Sequence, residues 1–273
     1  MSYQQRFGGI SRLYGEQALN QFAHSHVCVI GIGGVGSWVA EALARSGIGT
    51  LTLIDLDDIC VTNTNRQIHT LAATVGQPKT TVMKDRIRDI NPECQCHEIE
   101  DFITADNIAD YIDHRFDYVV DAIDSVKAKT ALIAYCKRNK IKLITIGGAG
   151  GQIDPTQIRV TDLAKTIQDP LASKVRSELR RRYHFSKNPK RKFGIECVFS
   201  TEQLIYPDGN GQVCAAKNTD NGSMRMDCSG GFGAATHVTA SFGMIAAGRV
   251  LQKLAQKSQQ ENIAENDQPL KTI

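Results

Sequence analysis

Val27-Cys28-Val29-Ile30-Gly31-Ile32-Gly33-Gly34-Val35-Gly36 runs four apolar residues straight into a glycine-rich turn, and residues 38–45 continue as a helical run. Four consecutive apolar residues suit a strand buried on both faces of a parallel sheet. Gly31-x-Gly33-x-x-Gly36 then permits a tight turn and lets backbone N–H groups approach a phosphate at the positive end of the helix. Strand, glycine loop and helix in that order are the context in which this pattern signals a nucleotide.

Working outward, Leu51-Thr52-Leu53-Ile54 reads as a second strand ending on Asp55, placed where a carboxylate accepts from ribose hydroxyls. Residues 80–90 form an amphipathic helix stopped by Asn91-Pro92. Strands follow at 96–99, 118–122 and 143–146, with a helix at 127–138 between the last two. This alternation predicts an α/β fold with a doubly wound, mostly parallel sheet over residues 10–150. Beyond Gly147-Gly148-Ala149-Gly150-Gly151 the pattern changes. Residues 158–160 and 197–199 read as strands of a different kind, separated by a basic segment. Glycine-rich loops after about Gly209 lead to an apolar helix at 230–251. Residues 151–257 are expected to form an irregular, substrate-facing portion of the same domain, and 258–273 a polar tail that frays from Lys257 onward.

The chain has 273 residues, 41% of them hydrophobic, enough for a packed core and too many for intrinsic disorder. With 32 basic against 29 acidic side chains, attraction to nucleic acid has to come from local clustering. Eight cysteines lie scattered at 28, 60, 94, 96, 136, 197, 214 and 228 with no Cys-x-x-Cys pair, which argues against a disulfide framework and a zinc site. The N-terminus MSYQQRFGGI has no signal-peptide pattern, so a reduced, cytoplasmic protein is expected. Residues 230–251 carry His237, Ser241 and Arg249, and read as a core helix rather than a membrane span.

An NAD dehydrogenase needs a hydride-transfer constellation, and none is recognisable. Instead Asp55 opens a polar loop, Asp55-Leu56-Asp57-Asp58-Ile59-Cys60-Val61-Thr62-Asn63-Thr64-Asn65-Arg66-Gln67, Lys79 opens the next helix, and Asp121-Ala122-Ile123-Asp124-Ser125 closes the fourth strand. The C-terminal ends of parallel strands converge on the ligand crevice, so Arg66, Lys79 and Asp124 share one expected site. Two cations suit a polyphosphate and a carboxylate suits Mg²⁺, which together are equipment for ATP chemistry. The plainer alternatives stay open: Arg66 and Lys79 solvated in loops, Asp121 or Asp124 capping the following helix.

GIGGVGSW, LIDLDDICVTNTNRQ, Lys79 and VVDAIDS together resemble the adenylating domain of the ubiquitin-activating-enzyme, MoeB and ThiF superfamily. The resemblance implies activation of a carboxylate by ATP and Mg²⁺ as an acyl-adenylate. Carried over by motif, Gly31, Gly33, Gly34, Gly36 and Asp55 hold adenosine, with Asp57 and Ser125 in the same site. Asn65, Arg66 and Lys79 contact the phosphates, and Asp124 binds Mg²⁺. RFGGISRLYGEQAL, GGAGGQIDPTQIRVTDLAKTIQDPLASKVR, CVFSTE and RMDCSGGFGAAT are similar to the tRNA threonylcarbamoyladenosine dehydratases within that superfamily, over about residues 5–255. That branch implies a tRNA partner and ATP-dependent cyclisation of a modified nucleoside. Activation of a ubiquitin-like sulfur carrier is the alternative. The superfamily's N-terminal Arg-Gln, which supplies an arginine to the partner subunit, is not reproduced; Arg6 and Arg12 are both candidates for that role in a homodimer.

Residues 174–192 hold nine cations opposed by Glu178 alone. Arg180, Arg181, Arg182, Lys190, Arg191 and Lys192 suit a phosphate backbone, and Tyr183, His184 and Phe185 suit stacking on unpaired bases. Cys228, just before the C-terminal helix, is the candidate sulfur acceptor, with a cysteine desulfurase as the implied partner. The seven histidines read as structural.

Overall fold

The computed structural model describes residues 2–208, 212–214 and 232–266. Two helices, α1 (Tyr3–Tyr14) and α2 (Glu16–His24), precede the first strand and were not read from the pattern. A reciprocal cap starts α1: Gln5 N–H donates to Ser2 Oγ while Ser2 N–H donates to Gln5 Oε1. There follow β1 (His26–Ile30), α3 (Gly36–Arg45), β2 (Thr50–Ile54), α4 (Lys79–Ile90), β3 (Gln95–Ile99), the single turn α5 (Ile108–Tyr111), β4 (Tyr118–Asp121), α6 (Val126–Arg138) and β5 (Leu143–Ile146). The remainder is β6 (Ile158–Asp162), α7 (Pro170–Arg182), β7 (Glu196–Ser200), the short pair β8 (Tyr206–Pro207) and β9 (Val213–Cys214), and α8 (Thr236–Asn266).

Seven strands form one sheet in the order β3-β2-β1-β4-β5-β7-β6, parallel except for β6, which pairs antiparallel with β7. The strands at 158–160 and 197–199 are therefore not a separate kind of structure. β7 continues the parallel sheet beside β5, and β6 closes its edge.

Helices cover both faces, as the near-continuous apolar strands require. Val39, Leu43, Met83, Ile87, Phe242 and Val250 are fully buried on one face. Ile112, Leu132, Ile133, Val175 and Leu179 are buried on the other. The 230–251 segment is realised as α8, which lies against α2 and α3. At Gly243 a Cβ would sit 2.8 Å from both Trp38 Cβ and Val35 O, so a side chain there would force α8 off α3. Among the described residues fraying does not set in at Lys257: α8 runs to Asn266, Lys257 Nζ lies 3.0 Å from Asp117 Oδ1, and Ser258 is buried. No helix among the described residues is long and apolar enough to cross a membrane.

Candidate active site

Strand order reverses between β1 and β4, which opens a crevice beyond their C-terminal ends. The glycine loop lines it, and two of its glycines are sterically obligatory. Gly31 has φ +87° and its Cβ would lie 2.9 Å from Ala122 O; a Cβ on Gly36 would fall 1.8 Å from Gly31 O. This is how the loop from β1 into α3 packs directly on the turn after β4. A Cβ on Gly33 would meet only Gln67 Nε2, at 4.0 Å, while Gly34 is roofed by the Arg66 methylenes, 3.1 Å from where its Cβ would be.

Asp55, at the end of β2, is buried and organises the loop itself. Its Oδ2 accepts from Ile32 N–H at 2.6 Å and its Oδ1 from Asp57 N–H at 2.9 Å. Burial pushes its carboxyl above the usual range, and the Lys79 ammonium pulls in the opposite direction. Lys79, the first residue of α4, is itself buried, with Nζ 2.7 Å from Asp57 Oδ2 and 3.9 Å from Asp55 Oδ1. A cation is thus kept at the crevice by two carboxylates, one of them half exposed.

Asn65 and Arg66 follow the short turn Val61–Asn63, and Trp38 of α3 together with the start of α8 holds them. Trp38 Nε1 donates to Arg66 O at 2.9 Å, Asn65 Nδ2 to Ala234 O at 2.7 Å, and Thr236 Oγ1 to Asn65 O at 2.6 Å. Arg66 Nη1 donates to Thr62 O at 2.9 Å and to Asn65 Oδ1 at 3.0 Å, which folds the guanidinium over the loop. Sequence reasoning missed this clamp. The lone tryptophan two residues after Gly36 was the one available signal.

After β4 the acidic pair divides its work. Asp121 is fully buried against Lys129, with Nζ 2.9 Å from Asp121 Oδ2, and it also accepts from Thr145 Oγ1 at 2.6 Å and Ile123 N–H at 3.1 Å. It caps no helix; it braces the turn. Asp124 is exposed and makes no hydrogen bond or ion pair among the described residues. Ser125 Oγ accepts from Ala128 N–H at 3.5 Å and so caps α6. The structure therefore gathers the glycine loop, Asp55, Asp57, Asn65, Arg66, Lys79, Asp124 and Ser125 around one crevice.

Other sequence candidates lie elsewhere. Arg180 to Lys192 sit where α7 ends and β7 begins, at the N-terminal edge of the strands. Arg180 is not free for phosphate: its Nε donates to Ser186 O at 3.3 Å and its guanidinium covers the Phe193 ring at 5.4 Å. Arg181 and Arg182 share Glu178. Phe185 packs edge-on against Phe193. On α1, Arg6 and Arg12 are both exposed, and Arg6 Nη1 donates to Ile90 O at 3.2 Å. Cys228 lies outside the described residues, and no disulfide joins any two of the seven described cysteines. Burial raises the thiols of Cys28, Cys94, Cys96, Cys136 and Cys197. Cys60, exposed on the crevice loop, is lowered by its hydrogen bonds with Thr62 and by Arg66 and Lys79.

Residues 6–272 match the ThiF family. The chain belongs to that family. Within it, the chain is 62% identical over 257 residues to the tRNA threonylcarbamoyladenosine dehydratase of Escherichia coli, covering 94% of this chain and 96% of that protein. It is 60% identical to the enzyme of the same name from Haemophilus influenzae, over 94% and 95%. A crystal structure of the E. coli dehydratase in complex with ATP superposes with a TM-score of 0.84 at 58% identity, covering 94% of this chain and 96% of that one. The likeness to these ThiF-family proteins extends through β6, α7, β7 and α8, well beyond the glycine loop.

Proposed function

We propose that this chain is an ATP-dependent tRNA-modifying enzyme that cyclises threonylcarbamoyladenosine with net loss of water. The near-full-length identity to a ThiF-family protein carrying that dehydratase name supports this reading most directly. The crevice has the matching chemistry: backbone N–H groups at the start of α3, and the cations Arg66 and Lys79 beside them. An oxygen of the threonyl carboxylate attacks the ATP α-phosphorus and pyrophosphate leaves. A nucleophile within the same side chain then attacks the acyl carbon, and AMP departs with the oxygen that will count as lost water. The first step brings an anion to an anion, so preplaced positive charge has most to contribute in its transition state. Arg66 and Lys79 supply it, the glycine loop orients the nucleotide, and Asn65, clamped by α8, fixes the loop that carries Arg66.

Mg²⁺ fits this site on its donor chemistry. Asp124 offers a single exposed, unpaired carboxylate at the crevice, and such ions are commonly held by one or two carboxylates together with substrate phosphates. When bound, the ion neutralises charge developing on the phosphate oxygens.

In this reading the enzyme works in the cytoplasm as a homodimer, with Arg12 or Arg6 reaching across. Arg12 is the freer of the two, since the Arg6 guanidinium is occupied by Ile90 O. Cys228 keeps its reading as a sulfur acceptor from a cysteine desulfurase, tested by loading C228S with sulfur. The deciding experiment incubates the purified protein with ATP, Mg²⁺ and tRNA carrying threonylcarbamoyladenosine, then digests the RNA and weighs the nucleosides. Loss of one water with equimolar AMP and pyrophosphate is the expected result. An unchanged nucleoside, with AMP release that depends on a small carrier protein, transfers the chain to the sulfur-carrier activating enzymes.

A further inference from the structure

The basic loop before β7 is not a loose tether. Phe185 N–H donates to Leu179 O at 3.2 Å, and Lys165 Nζ donates to Pro189 O. The Asp162 carboxylate receives the N–H groups of Phe193, Gly194 and Ile195 at 2.7–3.3 Å. Arg180 and Phe185 both close on Phe193 from within. The loop is pinned by its apolar and acidic neighbours, while Lys187, Lys190, Arg191 and Lys192 are left exposed with no side-chain partner among the described residues.

A second element faces this loop. The C-terminal end of α6 brings Lys137 and Arg138, both exposed and without a side-chain partner among the described residues. Gly194, at φ +71°, makes room for this approach, since a Cβ there would lie 2.6 Å from Lys137 Nζ. Between the two elements is a cavity of about 330 Å³ whose walls include Lys137, Arg138, Tyr183, His184 and Lys192. Nothing in the linear sequence joins Lys137 and Arg138 to the basic segment; the parallel pairing of β5 with β7 does.

Position matters as much as charge. α6 starts beside Asp124 at the C-terminal edge of the sheet and ends at Arg138 at the opposite edge, and its 13 residues span roughly 20 Å. A ligand in this cleft cannot be the group that is adenylated. A ligand that reaches both places is large, and the cations lining this cleft suit a polyanion.

We infer that the cleft between the end of α6 and the loop before β7 is a docking site for the phosphate backbone of the RNA substrate, about 20 Å from the reacting nucleoside. Lys137, Arg138 and Lys192 are the contacting cations. This rests on the tRNA reading above and adds to it where the RNA body is held. Pinning the loop lowers the entropy lost when phosphates are bound, and unpaired cations need not first give up a carboxylate.

The test measures binding of fluorescently labelled tRNA by anisotropy between about 50 and 200 mM salt, with the parent and with K137E/R138E/K192E and the neutral K137Q/R138Q/K192Q. The neutral variant should bind at least ~10-fold more weakly, and its log-affinity against log-salt slope should be shallower by about 2, at roughly 0.7 per lost phosphate contact. ATP binding by calorimetry should be unchanged, because these residues are remote from the crevice and exposed. Unchanged affinity and slope in a parent that dehydrates tRNA overturns the inference and leaves the function standing. Retained tRNA affinity with lost binding of a poly-glutamate probe assigns the cleft to an acidic protein partner and overturns it too. A parent that neither binds nor alters tRNA removes the functional reading, and the inference with it.

Discussion

Lys129→Met removes one half of the most deeply buried ion pair described in this chain. The Lys129 ammonium donates to Asp121 O at 3.1 Å and Thr145 Oγ1 at 3.2 Å and lies 2.9 Å from Asp121 Oδ2 as an ion pair. Both side chains are at most 2% exposed. Without the lysine, Asp121 keeps the Thr145 hydroxyl and the Ile123 N–H but loses its counter-charge in a place water does not reach. Breaking a buried pair from one side costs about 3–5 kcal/mol, a large part of the ~5–15 kcal/mol that typically holds a domain together. At about 2–4 °C per kcal/mol for a chain of this size, the melting temperature should fall by roughly 6–20 °C. Lys129→Met with Asp121→Asn removes both charges and should recover most of that loss, because a pair of this kind contributes little net stability over well-packed neutral groups. Thermal and urea unfolding by circular dichroism measure all three proteins. A single variant within 1 kcal/mol of the parent, or a double variant worse than the single, refutes the reasoning.

Asp124→Asn should leave the melting temperature unchanged, since the side chain is exposed and unpaired, while lowering the rate of AMP formation roughly 100-fold; a loss under threefold removes Asp124 from the mechanism. His69 is buried with neither ring nitrogen hydrogen-bonded among the described residues, and burial lowers its pKa to about 4. The fold therefore holds it neutral. Its contribution is intact above the unfolded value near 6.5 and is lost as pH falls toward 4, about 3 kcal/mol in all, so His69→Gln should flatten the stability profile over that window relative to the parent. Cys60 is exposed beside the crevice with a lowered thiol pKa, so at pH 8 iodoacetamide should alkylate it ahead of the buried cysteines, and ATP should slow the reaction. Labelling at an equal rate with and without ATP would place Cys60 away from the nucleotide.

The features legible in the sequence are those set by short-range chemistry. The apolar tetrapeptides, the glycine spacing and the Asn91-Pro92 stop each act within a few residues, so the parallel sheet and its phosphate loop were legible from the chain alone. The placement of Asp55 and Asp124 at one edge was legible too, because parallel strands deliver their C-terminal ends there. The same locality explains where the reading stopped. Residues 158–162 and 196–200 show their strand character but not their partners, and only pairing decides that one is parallel to β5 and the other reverses at the edge.

Burial and long-range contact settled the rest. A composition count makes Arg180, Arg181 and Arg182 three cations for phosphate; packing spends the first on Phe193 and Ser186 and ties the other two to Glu178. Asp121 and Asp124 look interchangeable in DAIDS. The fold makes one a buried brace against Lys129 and leaves the other a free carboxylate at the crevice. Asn65 is held by Ala234 and Thr236 across about 170 residues of chain, a separation over which no periodicity or spacing carries information. The sequence by itself determined which chemistry the crevice is equipped for, because that depends on residue type beside a local motif. The tertiary structure alone decided which charges are free to perform it, because whether a charge is solvated, paired or buried depends on neighbours brought in from elsewhere in the chain.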